Sequence, residues 1–320
     1  MKYRRLGQTD LEVSVLSYGA SPLGGVFGDE VDVTAGIRTV HAAVDHGINF
    51  IDVSPYYGDT KAETVLGKAL AGITRDRYYL ATKCGQYGQE EFDFSAERVT
   101  RSLDESCARL GVDYIDVLQC HDIEFAEADQ IVNETLPALV KLREAGRIGY
   151  IGITGLPLKV FSNILDRVDP GVVDTVLSFC RYELNDSALA DKIPYLQSKN
   201  VGIINASPTG MGLLTPRGVP DWHLATPLMG EVAKKVVDFC TAEGVDVVKL
   251  AVQYCVQHPD IATTLVGTSK PVNIMADIRY AEEPIDQEML TKVLEILAPI
   301  HNHNFTRGLP ANLDELIPSS

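Results

Sequence analysis

The six cysteines of this chain (Cys84, Cys107, Cys120, Cys180, Cys240 and Cys255) are dispersed and never form a Cys-x-x-Cys pair, which argues against both a zinc site and a disulfide framework. They are expected to be buried, reduced thiols. No uninterrupted apolar stretch reaches the length a bilayer requires, and the basic start MKYRRLGQTD has no apolar core behind it. Neither a membrane span nor a signal peptide is therefore expected, and a cytoplasmic location is. Positive charge is also scarce: 28 Lys and Arg stand against 44 Asp and Glu, a net charge of −16 that repels phosphate backbones and anionic membranes. Nucleic acid and membrane are not expected partners. A GxGxxG after the first apolar run is missing, so a Rossmann dinucleotide site is not indicated. His301 and His303 lack a neighbouring Cys or carboxylate cluster and read as solvated side chains, so no metal is expected.

Hydrophobic residues at 45% and charged residues at 22% are the usage of an ordinary globular protein, with enough apolar material for one large core. Eight short β-branched runs bounded by turn residues follow one another: Val15 to Tyr18, Ile48 to Val53, Tyr78 to Thr82, Tyr114 to Gln119, Ile148 to Thr154, Val173 to Phe179, Val201 to Asn205 and Ala262 to Val266. Most are continuously apolar, as strands covered on both faces of a parallel sheet must be. Between them lie segments of helical period, such as Val33, Ile37, Val40 and Val44 before Gly47, and Val99, Leu103 and Leu110 before Gly111. Eight alternating units predict an α/β fold of the (β/α)8 TIM-barrel type. Residues 1 to 14 are expected to form an N-terminal hairpin, residues 209 to 228 an extended loop after strand seven, and Asp286 to Leu297 an extra C-terminal helix. No linker or low-complexity segment divides the chain, so one domain is expected, with its core at about 15–300 and a polar tail at 301–320.

If the strands are placed correctly, Asp52, Lys83 and His121 end successive strands and point into one mouth, where Tyr57 follows in the loop Ser54-Pro55-Tyr56-Tyr57-Gly58. A buried Asp needs a counter-charge and a buried Lys an anion, so Asp52 and Lys83 are expected to pair. An ammonium beside Tyr57 is expected to favour the phenolate and lower a pKa that starts near ~10, making Tyr57 an acid-base group. Taken singly, each of these residues also has a plain structural reading, an ion pair or a hydrogen-bonded core histidine.

The motifs Asn49 through Gly58 with Glu63 and Gly67, Ala81-Thr82-Lys83, and Leu110 through Asp116 leading to His121 resemble the aldo-keto reductase superfamily, whose Asp, Tyr, Lys and His tetrad maps onto Asp52, Tyr57, Lys83 and His121. Gly19 through Gly24, Phe92 through Val99, Cys120 through Phe125, Gly152 through Pro157, Asn205 through Pro208 and Trp222-His223 are similar to the superfamily's plant L-galactose dehydrogenase group. This resemblance implies NAD-linked oxidation of the anomeric carbon of an aldose of L-galactose or L-fucose type to the lactone. It implies cofactor contacts from Gly19, Ala20, Asp52, Thr154, Gly155, Ser178, Ser207, Gly267, Thr268, Ser269, Asn273 and Asp277. Substrate contacts are implied for Ser21, Tyr57, His121, Asp122, Trp222 and His223. Asn273 falls where NADP-preferring relatives commonly carry Arg, which favours NAD over NADP, although Lys270 lies three residues away. Trp222 and His223 read equally as loop packing or as a sugar platform. The expected partner is a small-molecule sugar, and the expected state a monomer or weak homo-oligomer. Three other readings compete: a cofactor-binding regulatory homologue with little turnover, a reductase of small aldehydes using NADPH, and a glycoside hydrolase. Asp122 and Glu124 lie too close along one loop to serve the last of these.

Overall fold

A computed structural model describes residues 1–28 and 30–314 of the chain. Eight parallel strands close into a barrel in the order β10-β3-β4-β5-β6-β7-β8-β9. They are β3 (Leu16–Gly19), β4 (Phe50–Asp52), β5 (Tyr79–Cys84), β6 (Ile115–Cys120), β7 (Ile148–Gly155), β8 (Thr175–Phe179), β9 (Gly202–Ala206) and β10 (Thr263–Val266). Each coincides with one of the eight apolar runs, with ends displaced by up to two residues. The expected hairpin is the antiparallel pair β1 (Tyr3–Arg5) and β2 (Glu12–Ser14).

Side chains alternate across each strand, so within one strand Phe50 and Asp52, Ala81 and Lys83, or Val117 and Gln119 share the interior face. The lower interior is apolar: Phe50, Ala81, Val117, Leu177, Ile204 and Leu265 pack there against Leu6, Leu11 and Val13 of the hairpin, which fills the barrel from its N-terminal side. One register step above, the same faces carry Asp52, Lys83 and Gln119, so polar residues crown an apolar floor. The alternate residues, among them Ile51, Leu80, Leu118 and Ile153, face the helix layer.

Helices α1 (Val33–Asp45), α2 (Lys61–Leu70) and α3 (Ala96–Leu110) follow β3, β4 and β5. Their limits are written locally. Asp32 caps α1 by accepting from Ala35 N at 2.9 Å, Ser95 caps α3 by accepting from Arg98 N, and Gly111 ends α3 in the left-handed conformation. After β6, α4 (Ala128–Gln130) runs through a π turn into α5 (Leu136–Glu144), while α6 (Lys159–Leu165) and α7 (Ala188–Ser198) follow β7 and β8. The connection after β9 holds the long loop and then two helices, α8 (Pro227–Ala242) and α9 (Val247–Gln257), where a strict alternation of strand and helix has one. The helix α10 (Pro271–Glu282) follows β10, and the extra helix is α11 (Gln287–Leu297), capped by Asp286.

The stretch expected to be a polar tail is, as far as residue 314, part of the structure of the barrel mouth. Asn302, Asn304, Leu309, Asn312 and Asp314 bond to the segments after β6, β7 and β8, with Leu309 N reaching Glu124 O at 2.8 Å and Asp314 accepting from Lys159 N at 2.8 Å. Residues 315–320 of the expected tail lie outside the described residues. His301 and His303 are exposed.

Candidate active site

Asp52 is the last residue of β4, Lys83 the penultimate residue of β5, and His121 directly follows β6, so the barrel register brings all three to the C-terminal mouth. Lys83 is 1% exposed, and its ammonium bonds to the Asp52 carboxylate and to Val53 O at 2.9 Å. Gln119 Nε2 donates to the other Asp52 oxygen at 2.7 Å. Burial pushes the Asp52 carboxyl up, and the Lys83 charge and the two hydrogen bonds oppose that rise.

The loop carrying Tyr57 is held by a contact only glycine permits. A Cβ on Gly58, whose φ is +63°, would stand 2.1 Å from Gly24 O, and one on Gly24 would stand 2.5 Å from Tyr57 O. Gly24 and Gly58 therefore let the loops after β3 and β4 touch backbone to backbone, which fixes where Tyr57 sits. Its ring meets His121 edge-on at 5.6 Å and lies 5.0 Å from the Lys83 ammonium.

The structure corrects the expected direction of the Tyr57 pKa. Burial pushes the phenol well above its usual value, the negative charges of Asp52 and Asp122 add to this, and Arg307 acts downward. Lys83 does not outweigh the burial: its ammonium is committed to Asp52 and stands 5.0 Å from the Tyr57 ring.

His121 is buried and pushed down to about 3 by the loss of solvent, so it is neutral at ordinary pH. Its Nδ1 lies 3.0 Å from Ser54 Oγ, and that oxygen also accepts from Tyr56 N at 3.2 Å. Its Nε2 lies 3.8 Å from Asp122 Oδ1. The sequence reading overlooked Ser54 and Gln119, although Ser54 lies inside the SPYYG motif and Gln119 shares the interior register with His121.

The remaining predicted residues divide. Gly19 pairs in register with Asp52, Ala20 N donates to Asp52 O at 2.8 Å, and Ser21 opens the adjacent turn. Ser178 is the penultimate residue of β8, Ser207 directly follows β9, and Gly267, Thr268 and Ser269 follow β10 ahead of Asn273 and Asp277 on α10. Thr154 is bound elsewhere: its hydroxyl accepts from Asp122 N at 2.9 Å and lies 3.3 Å from Asp122 Oδ1. A Cβ on Gly155 would press on Val160 and the Glu124 carboxylate, so that glycine serves packing. His223 spends both ring nitrogens on its own loop, Nε2 at 3.1 Å from Gly210 O and Nδ1 accepting from Ala225 N at 2.9 Å. Trp222 Nε1 donates to Val26 O at 2.8 Å, and its ring lies 5.9 Å from Phe27. The loop-packing reading accounts for both residues, and His223 keeps no nitrogen for a sugar hydroxyl.

The donors and acceptors around the mouth fit a nicotinamide dinucleotide. Ser178 Oγ and Asn205 Oδ1 are buried polar atoms without a protein partner at the ends of adjacent strands. The first turn of α10 has no side-chain cap, although Pro271 brings no N–H and Lys270 N and Asn273 N are already bonded to Thr268 Oγ1 and Lys270 O. Tyr18 OH holds the loop before it through Thr268 O at 2.7 Å. Asp277 is buried and pushed up to about 7 by loss of solvent, so near neutrality it is partly protonated and able to donate. Among the described residues no group of three or more His, Cys, Asp or Glu is arranged to hold a metal ion, and no helix is long and apolar enough to cross a membrane.

Comparison with known proteins adds three findings. A model described as the Aldo/keto reductase family matches residues 15–298. The L-galactose dehydrogenase of Arabidopsis thaliana is 49% identical over 318 residues, covering 98% of this chain and 99% of that protein, and the D-arabinose 1-dehydrogenase of Saccharomyces cerevisiae is 32% identical over 77% of this chain and 76% of that one. Among solved structures, the holo form of an aldo-keto reductase from Bacillus halodurans superposes with a TM-score of 0.77 at 28% identity, covering 92% of this chain and 96% of that one.

Proposed function

Because the chain belongs to the aldo/keto reductase family, we propose that it is an NAD-dependent sugar 1-dehydrogenase that oxidises the anomeric carbon of an aldose of L-galactose or L-fucose type to the aldonolactone. The observation that carries the substrate class is the near-full-length identity to a plant L-galactose dehydrogenase. It is supported by a mouth in which a tyrosine, a neutral histidine and a buried lysine–aspartate pair meet. The bound nicotinamide supplies the acceptor for the hydride that leaves the anomeric carbon.

The chain supplies the acid-base chemistry and the orientation. Tyr57 takes the proton of the anomeric hydroxyl as phenolate, and Lys83 over its ring face offsets the charge that this state carries. Asp52 and Val53 O hold the ammonium in place. The tautomer this role requires carries the proton on Nε2, on the side of Asp122 Oδ1, with Ser54 Oγ donating to His121 Nδ1 while it accepts from Tyr56 N. His121 is then a neutral donor to the reacting oxygen, which gains carbonyl character as the lactone forms. Gly19, Ala20, Ser178, Ser207, the segment Gly267 to Ser269 and the start of α10 would hold the dinucleotide. Asn273, which bonds to Thr268 Oγ1 at 3.3 Å, offers a neutral amide and so favours NAD.

The test is a panel of L-galactose, L-fucose and D-arabinose with NAD and with NADP, read by absorbance of the reduced nicotinamide. Turnover of at least one aldose, faster with NAD, is expected. Failure with every aldose overturns the reading.

A further inference from the structure

Arg307 lies 185 residues from Asp122 in the sequence yet reaches it at the mouth, Nη2 to Oδ2 at 2.8 Å. It is delivered by a glycine corner: Gly308 has φ +107°, and a Cβ there would stand 2.6 Å from Glu124 O. Leu309 N and Asn312 Nδ2 bond to that same carbonyl, which anchors the segment on the loop after β6. The guanidinium lies 4.8 Å from the Phe125 ring and 5.9 Å from the Phe179 ring, so aromatic faces fix its plane. On the other side, Asp122 has a left-handed backbone, φ +49°, and Thr154 meets its second oxygen, Oδ1. Arg307 Nε also lies 3.5 Å from Glu124 Oε1, so without Arg307 the buried Asp122 and Glu124 side chains would lose the cation they share, and Lys83 is already committed to Asp52.

We propose that Arg307 is a positioning residue for the oxidation: its ion pair presents Asp122 Oδ1 beside His121 Nε2 as a matched acceptor and donor for two hydroxyls of an uncharged polyol, and it screens His121 from the Asp122 charge. The spacing supports the first part. Oxygens on adjacent carbons lie somewhat closer together than the 3.8 Å between Asp122 Oδ1 and His121 Nε2, so one substrate reaches both at once. The surroundings of His121 support the second. The groups facing it are Tyr56, Tyr57, Ser54, Asp122 and the Lys83–Asp52 pair, and of these Asp122 is the one whose charge draws a proton onto the ring. Arg307 opposes that pull, in the same direction as burial.

The inference rests on the sugar-oxidising reading, and two measurements keep the two apart. Steady-state kinetics with L-galactose and NAD compares the wild type with Arg307→Met and Arg307→Lys. The Met variant is expected to raise the sugar KM about tenfold with the NAD KM nearly unchanged, and the Lys variant to recover most of that loss. A proton NMR titration of His121 needs no turnover. The wild-type ring stays neutral to about pH 5, and the Met variant titrates about one pH unit or more higher than the wild type. If Arg307→Met does not fold, Arg307→Gln retains a donor to Asp122 without the charge, and its His121 must still titrate higher. A purely structural Arg307 would lower thermal stability and leave both the sugar KM and the His121 titration where they are, and that result overturns the proposal. Wild-type enzyme that oxidises no aldose overturns the sugar reading instead, and the titration alone then decides the role of Arg307.

Discussion

Replacing Lys83 by Met separates what the buried ion pair does for the fold from what it does for the chemistry. In the wild type the ammonium has two partners, Asp52 and Val53 O, and the Asp52 carboxylate has two, Lys83 and Gln119. Both side chains are almost fully enclosed, at 1% and 4% exposure. Removing the lysine leaves Asp52 with one neutral donor in a site water does not reach, and breaking a buried pair in this way costs about 3–5 kcal/mol. The pH dependence follows from the sign of the Asp52 shift. Burial already raises that carboxyl and Lys83 holds it down, so in the variant it rises further. A raised carboxyl contributes stability that is present below its unfolded value, near ~4, and is lost as the pH climbs through its folded value. The deficit against wild type should therefore be largest near about pH 8 and shrink near about pH 5. The assay is chemical denaturation followed by circular dichroism at both pH values, with the double variant Lys83→Met/Asp52→Asn beside the single one. The double variant should return to within about 1–2 kcal/mol of the wild type, because no charge is left unpaired, while its kcat stays low. A single variant as stable as wild type at about pH 8, or a double variant no more stable than the single, would refute the account of the pair.

Tyr57→Phe should lower kcat by about 10²–10⁴-fold and leave NAD affinity, measured by direct titration, nearly unchanged; full turnover would remove Tyr57 from the chemistry. Because burial and neighbouring carboxylates push Tyr57 upward, kcat for oxidation should rise steadily from neutral to alkaline pH with no plateau short of about pH 10, and a flat profile with hydride transfer limiting would show that another group is the base. Neutral His121, pushed down to about 3, should add no acid limb over the same range. Asn273→Arg should raise kcat/KM for NADP about tenfold by offering a charged partner to the 2′-phosphate; a wild type that already prefers NADP would point to Lys270 instead.

Much of the barrel was legible because its signals are local. A strand buried on both faces must be apolar throughout, and Phe50-Ile51-Asp52 and Ala81-Thr82-Lys83 then place Asp52 and Lys83 inside by alternation alone. The pairing of Asp52 with Lys83 followed from the cost of leaving either charge buried by itself. What escaped depends on which of several neighbours takes a given hydrogen bond. The Thr154 hydroxyl goes to Asp122, the His223 nitrogens go to backbone, and the Lys83 ammonium goes to Asp52 over Tyr57. The same ambiguity reversed the expected direction for Tyr57. Arg307 escaped for a different reason: nothing in Phe305-Thr306-Arg307-Gly308 marks that polar segment as part of the mouth, since its partners are on a loop formed far earlier in the chain. The helix α9 was hidden because its apolar residues follow those of α8 after only a short break.

Trp222 is the one tryptophan in the 320 residues, and it ties the long loop after β9 to the loop after β3 through Val26 O and Phe27. The protein thus carries a built-in optical probe at the rim of its site. An indole hydrogen-bonded to a carbonyl, tilted against a phenyl ring and 45% exposed emits from a surrounding that changes if the two loops separate. Excitation of that single fluorophore, with no label added, reports whether the contact between the two loops is kept or lost. Its emission can be read during ligand mixing without the overlapping signals that several tryptophans would contribute.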